Sequence, residues 1–207
     1  MVNFVYLASQ SPRRRQLLEQ LGVKYELLLP DDSKEADALE YVLKNEAPAA
    51  YVKRVTLLKL DAAIARLNQR KLPPAPVLCS DTTVALGRTI YGKPEDAKDA
   101  ERMLHTLSGV THRVLTAVAV QHGQQRFQAL SASHVRFQAM TNAQIKGYVE
   151  TGEPMGKAGA YAIQGRAAMH ITRINGSHSG IVGLPLWETA MLLQAAGLDF
   201  QFKQSAK

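Results

Sequence analysis

The sequence predicts an α/β protein, a mixed sheet with flanking helices and a central cleft, organised as one domain of two lobes over residues 1–207. Three observations lead there. Apolar runs of strand length alternate with amphipathic helical stretches along the whole chain, with no internal repeat and no low-complexity segment. The stretch Val77-Leu78-Cys79-Ser80-Asp81-Thr82-Thr83-Val84 opens as a short apolar run behind Pro73, Pro74 and Pro76, which reads as a buried strand. That strand carries an acid where open α/β sheets place their ligands, and the whole set of strands is too long for one compact layer.

Taken in order, Phe4 to Ala8 is β-rich and predicts a first strand. Ser11 then caps a helix over 13–21 with Pro12 at its first position, Leu17, Leu18 and Leu21 on its apolar face, and Gly22 at its end. Val23 to Leu29 predicts a second strand, and residues 31–40 an acidic loop. Ala47 to Leu67 predicts a long helix with Tyr51, Val55, Leu58 and Ala62 on one face and Lys59 beside that face. After the strand bearing Asp81, Gly87-Arg88 predicts a hairpin turn into Thr89 to Tyr91, and Gly92-Lys93-Pro94 a further turn. A helix over 94–107 and strands over 112–121 and 124–137 follow, then a short helix behind the capping box that opens at Thr141. Residues 152–165 are dense in glycine, which implies tight backbone near a ligand. A strand over 167–174, an Asn175-Gly176 turn and a last helix over 187–196 complete the reading.

Composition bounds the function classes. Hydrophobic content of 46% with 21% charged residues is that of an ordinary globular protein. Net charge is +7, which draws polyanions, and free nucleotides qualify as well as nucleic acid. The positive residues are scattered apart from Arg13-Arg14-Arg15, and only 6% of residues are aromatic, so a nucleic-acid partner is not expected. The single cysteine, Cys79, has apolar neighbours and reads as a buried inert thiol, in keeping with a reducing compartment. No apolar run reaches the ~20 residues that span a bilayer, and the first residues lack the marks of a signal peptide. A cytoplasmic protein without a membrane partner is the expectation.

The six histidines show no metal-ligand spacing, and there is neither a Gly-x-Ser-x-Gly elbow nor a P-loop. What remains is carboxylate plus cations. Strand, turn and helix N-terminus at residues 9–14 form an anion site, where Arg13 and Arg14 can grip phosphate oxygens bidentately; a capped helix with solvated arginines is the alternative. Asp81 with Lys93 suggests a metal-and-phosphate site, against an acid that merely caps a turn. Hydrolysis of a phosphoanhydride needs neutralised phosphate charge, an aligned water and a base. Arg13, Arg14, Lys59 and Lys93 suit the first need, and Asp81 the third or the metal, with Mg²⁺ or Mn²⁺ suited to such oxygen ligands.

Six segments, read together, carry a family resemblance. They are residues 7–14 (Leu-Ala-Ser-Gln-Ser-Pro-Arg-Arg), 80–82 (Ser-Asp-Thr), 92–94 (Gly-Lys-Pro), 107–109 (Leu-Ser-Gly), 157–165 (Lys-Ala-Gly-Ala-Tyr-Ala-Ile-Gln-Gly) and 181–186 (Ile-Val-Gly-Leu-Pro-Leu). In this order they resemble the Maf family of nucleotide pyrophosphatases. The resemblance implies hydrolysis of a nucleoside triphosphate to monophosphate and pyrophosphate with a divalent metal, Mg²⁺ or Mn²⁺. It implies a two-lobed fold like that of the inosine triphosphate pyrophosphatases, and a homodimer. It places the catalytic base on Asp81, phosphate binding on Ser11, Arg13 and Arg14, and substrate lysines on Lys93 and Lys59, although the usual Lys-Ala pair reads Lys59-Leu60 here. Segment 157–165 resembles the dTTP/UTP subgroup, with Arg13, Thr82 and Gln164 as its markers, rather than the 7-methyl-GTP subgroup. A buried amide such as Gln164 can donate to and accept from a pyrimidine edge. The metal is expected on Asp81 together with an acid of the 31–35 segment, Asp32 or Glu35, the usual acidic motif after the second strand being altered here. A nucleotide-binding regulator of septation is the reading from a different class.

Overall fold

The computed structural model describes residues 4–32 and 38–198. Glu35, expected as a metal ligand, lies outside the described residues.

Among the described residues, seven strands form one mixed sheet. β1 (Phe4–Leu7) lies between β2 (Lys24–Leu27) and β3 (Val77–Leu86), parallel to both. β5 (Thr111–His122) runs antiparallel to β3, followed outward by β6 (Gln125–Phe137) and β7 (Ile171–Asn175), while β4 (Thr89–Tyr91) pairs with the far end of β3. The order is therefore β2-β1-β3-β5-β6-β7. α1 (Pro12–Gln20) links β1 to β2 on one side, and α2 (Pro48–Gln69) leads from the β2 side back to β3 on the other. The chain thus reverses its direction of travel across the sheet at β1, and such a switch point opens a crevice at the carboxyl ends of the strands. Here that crevice lies beyond Leu7.

Why these residues form these elements is visible in the burial. β3 and β5 are covered on both faces and are nearly continuously buried along their middle, as interior strands are. β6 is the opposite case: exposed Gln128, His134 and Arg136 alternate with buried Ser131, Val135 and Phe137, so one face meets solvent. Side chains alternate across β3. Val77 and Cys79 pack with Leu60, Ala63 and Leu67 of α2, and Leu78 packs on the other face with Leu17 and Leu18 of α1. The larger core lies on that second face, under α1, α3 (Ala97–Leu107), α4 (Asn142–Glu150), α5 (His178–Val182) and α6 (Leu186–Ala195). The capping box at Thr141 forms in both directions.

Several expectations shift. The helix placed at 94–107 starts only at Ala97, because Asp96 accepts from the Asp99 amide and caps it there. The strand placed at 167–174 is a 3₁₀ turn over Arg166–His170 followed by β7. The Asn175-Gly176 turn leads into α5 rather than a hairpin, since Ser177 caps that helix through the Gly180 amide.

His112 is a buried titratable group of the core whose protonation is costly. Its Nε2 lies 2.8 Å from Tyr161 Oη, and its ring packs edge-on against Phe137 and Tyr161. Burial pushes its pKa down to about 4. The folded protein therefore holds His112 neutral where the unfolded chain, at about 6.5, takes a proton. Its contribution is whole above about pH 6.5 and is lost as pH falls toward 4. Urea melts at pH 7 and pH 5 should show roughly 2 kcal/mol of loss from this residue. His112→Gln should start less stable but with that part of the slope gone.

Candidate active site

The crevice is a cleft of about 840 Å³, within the size range of nucleotide-scale ligands. Ser11, Arg13, Arg14, Lys59, Asp81, Thr82, Lys93 and Gln164 all line it. These candidates therefore come together, whereas Asp32, the other acid weighed for the metal, is exposed and does not line the cleft.

β3 supplies the floor. Its pairing with β1 ends at Leu78, so Ser80 to Thr82 run past the end of β1 while still paired to β5. The acid expected at the end of this strand is thus in its middle; the strand runs on to Leu86 because β4 and β5 continue the ladder. Alternation sends Asp81 to the α2 face and Ser80 and Thr82 to the α1 face. Asp81 is buried, and its Oδ1 accepts from Lys59 Nζ at 2.5 Å.

Lys59 reaches Asp81 from α2. Tyr51, Val55 and Lys59 stand at helical spacing on one side, with Tyr51 and Val55 buried beneath β5 residues Leu115 and Ala117. The lysine stem continues that stripe and its ammonium enters the cleft. There it meets a second acid that sequence reading did not single out, Glu40, whose Oε1 accepts at 2.6 Å. Glu40 Oε2 also pairs with Lys93 at 3.1 Å. Burial would raise the Glu40 pKa, but Lys59 and then Lys93 outweigh it and hold the carboxyl below its ordinary range. Glu40 closes a loop that read as solvated acids, and no local pattern sets it apart; only the fold brings it to the lysines.

The other wall is α1. Its N-terminus opens on the cleft, with Ser11 at the cap position making no side-chain cap bond, so the first backbone amides are presented to an anion. Arg14 turns inward. Its Nε donates to Gly183 O at 2.8 Å, Nη1 to Ser9 Oγ at 3.2 Å and Nη2 to Thr82 Oγ1 at 3.4 Å. Ser80 Oγ lies 3.1 Å from the same Gly183 carbonyl, and Thr116 Oγ1 is 3.0 Å from Thr82 Oγ1. Burial lowers the pKa of both arginines, and for Arg13 the neighbouring Arg14 lowers it further.

The glycine-rich run forms the third side. Gly159 takes φ +69° and passes so close to β3 that a Cβ there would stand 2.8 Å from a Val84 methyl. Glu153 holds the segment, accepting from Tyr148 Oη at 2.8 Å and the Arg166 amide at 3.0 Å, and a side chain at Gly165 would collide with its carboxylate. The segment presents Gln164 and Lys157 to the cleft, and Gln164, expected as a buried amide, is exposed there. Burial and then Arg13 lower the Lys157 pKa. Cys79, under the floor, is buried with its thiol pushed up to about 12, mainly by desolvation, and is inert as expected.

Among the described residues no three His, Cys, Asp or Glu side chains form a metal cage of their own. Asp81 and Glu40 nevertheless converge on one ammonium, which puts hard oxygen donors of two carboxylates around a common point. That set fits Mg²⁺ or Mn²⁺, which bind through one or two carboxylates and complete their shell with water and phosphate. No helix among the described residues is long and apolar enough to cross a membrane.

A family model described as Maf-like protein matches residues 4–196. A Polaromonas protein named dTTP/UTP pyrophosphatase is 67% identical, with 95% of this chain and 97% of that protein covered. Proteins of the same name from Albidiferax ferrireducens and Cupriavidus pinatubonensis are 66% and 60% identical, covering 95% and 97% of this chain and 98% and 100% of their own. The solved Ham1 protein of Staphylococcus aureus overlaps 64% of this chain and 71% of its own at 10% identity and a TM-score of 0.38, too loose a likeness to bear on fold or function.

Arg14→Lys tests the inner wall. A lysine cannot reproduce the fork to Gly183, Ser9 and Thr82. Denaturant titration should show a loss of about 1–3 kcal/mol.

Proposed function

The chain belongs to the Maf family, and from that membership and the cleft we propose a nucleoside triphosphate pyrophosphatase that hydrolyses dTTP and UTP to the monophosphate and pyrophosphate. The observation that carries this reading is the grouping of Lys59, Lys93, Asp81 and Glu40 at one point of a nucleotide-sized cleft.

The triphosphate has three sources of positive potential around it: the N-terminus of α1 with Arg13 and Arg14, Lys59 on α2, and Lys93 beyond β4. Lys59 and Lys93 already bind carboxylate oxygens of Glu40, so a phosphate oxygen meets the same donors. Water attacks the α-phosphorus, the bond to the bridging oxygen breaks, and pyrophosphate leaves. Asp81 accepts the proton of that water, with Lys59 fixing its orientation. Arg13 and Lys93 neutralise charge that builds on the phosphoryl oxygens and the leaving pyrophosphate. Asp81 and Glu40 would hold the divalent cation, Mg²⁺ or Mn²⁺, which when bound supplies charge neutralisation and lowers the pKa of its water. Glu40 stands in this reading where Glu35 was expected.

Base choice falls to Gln164, whose amide can both donate to and accept from a pyrimidine edge. Thr82 acts at one remove, its hydroxyl being engaged by Arg14 and Thr116. The reading also includes a homodimer in the cytoplasm.

Pyrophosphate release with Mg²⁺ or Mn²⁺ across dTTP, UTP, CTP, GTP and 7-methyl-GTP is the test. Turnover should be confined to dTTP and UTP. Asp81→Asn should lose at least about a hundredfold in kcat, the usual share of a positioned base, while nucleotide still binds. A near-normal rate in that variant removes Asp81 as base, turnover of purine nucleotides alone removes the role of Gln164, and no turnover at all favours a binding regulator. Sedimentation should give twice the monomer mass.

A further inference from the structure

Glu40 lies on an irregular segment, and its neighbours give it little apolar anchorage: Tyr41, Val42 and Leu43 are 55%, 53% and 45% exposed. What holds the segment is polar and comes from α2. Arg54 Nε and Nη2 take the two oxygens of Glu46 at 2.7 and 2.8 Å, and Nη2 also donates to the Tyr41 carbonyl at 2.7 Å. The guanidinium carbon lies 4.9 Å from the Tyr41 ring centre and 5.7 Å from that of Tyr51. Glu46 Oε2 accepts in turn from the Leu43 amide at 3.2 Å, and Tyr51 Oη donates to the Glu40 carbonyl at 3.2 Å. Residues 40–46 are therefore folded around one guanidinium. Solvent-exposed ion pairs contribute little. This pair differs: it is bidentate, and the Glu46 side chain is only 8% exposed.

The same helix thus grips Glu40 twice, at its carboxylate through Lys59 and at its backbone through Tyr51 and the Arg54 clasp. We propose that Arg54 is a positioning residue for the reaction: through Glu46 and the Tyr41 carbonyl it fixes the 40–46 segment, and so sets where the Glu40 carboxylate stands beside Asp81. The proposal deepens the pyrophosphatase reading and rests on it. Arg54 itself need touch no substrate, and it acts only through Glu40.

Arg54→Met keeps the stem of the side chain and removes the fork. With dTTP its kcat should fall roughly tenfold to a hundredfold, the usual cost of losing an outer-shell partner, with KM nearly unchanged. Amide hydrogen exchange over residues 40–46 should quicken in the variant without any nucleotide or metal present, while exchange in β3 stays as it was. The deciding measurement is a double-mutant cycle with Glu40→Gln. If Arg54 acts through Glu40, the double variant is no slower than Glu40→Gln alone. Glu46→Gln breaks the clasp from the other side and runs the same cycle should Arg54→Met fold poorly. A wild-type kcat in both clasp variants, or a full multiplication of the two penalties, overturns the proposal while leaving the enzyme reading intact. A wild type that releases no pyrophosphate from dTTP or UTP refutes the enzyme reading, and the proposal with it.

Discussion

One ammonium group, that of Lys59, sits between Asp81 and Glu40 at 2.5 and 2.6 Å, and the cleft is arranged around it. Two carboxylates brought this close with little solvent repel each other, and only a shared cation makes their proximity tolerable. The three groups come from the middle of β3, from α2 and from an irregular segment, so the interaction joins that segment to a helix and strand already packed on each other. Its precision is inherited from ordinary packing. The stripe that seats α2 on β3 and β5 ends at Lys59, and strand alternation turns Asp81 toward that helix.

The opposite wall follows another logic. Arg13, Arg14 and Lys157 crowd one region, each with its basicity lowered by burial, and for Arg13 and Lys157 by a neighbouring arginine as well. Crowded cations favour an anion among them, and a triphosphate carries the charge to satisfy all of them. The cleft is thus divided: carboxylates and lysines on one side, arginines and helix amides on the other.

Much of this was legible in the sequence, for physical reasons that differ by element. The strand-turn-helix at 4–20 announces itself because cap, proline and apolar spacing all agree locally. The run 77–84 reads as a strand because its burial on both faces demands apolar residues, and the polar exceptions, Ser80 to Thr82, then stand out. Glu40 did not stand out. It lies among other acids, and its significance depends on Lys59 and Lys93, which reach it from 19 and 53 residues away. The 3₁₀ turn at Arg166–His170 reads as strand because its apolar composition carries no period. Helix α5 escaped notice because five residues are too few to show one.

The bond from Arg14 to the Gly183 carbonyl joins positions 169 residues apart. Protein synthesis therefore delivers the two halves of the inner wall far apart in time. A growing chain can pair β1 with β2 and β3, and can set Asp81 against Lys59, well before Gly183 exists. Until then Arg14 lacks the carbonyl to which its Nε donates. The acid and lysine of the site can thus be set together before the wall opposite them has both of its halves.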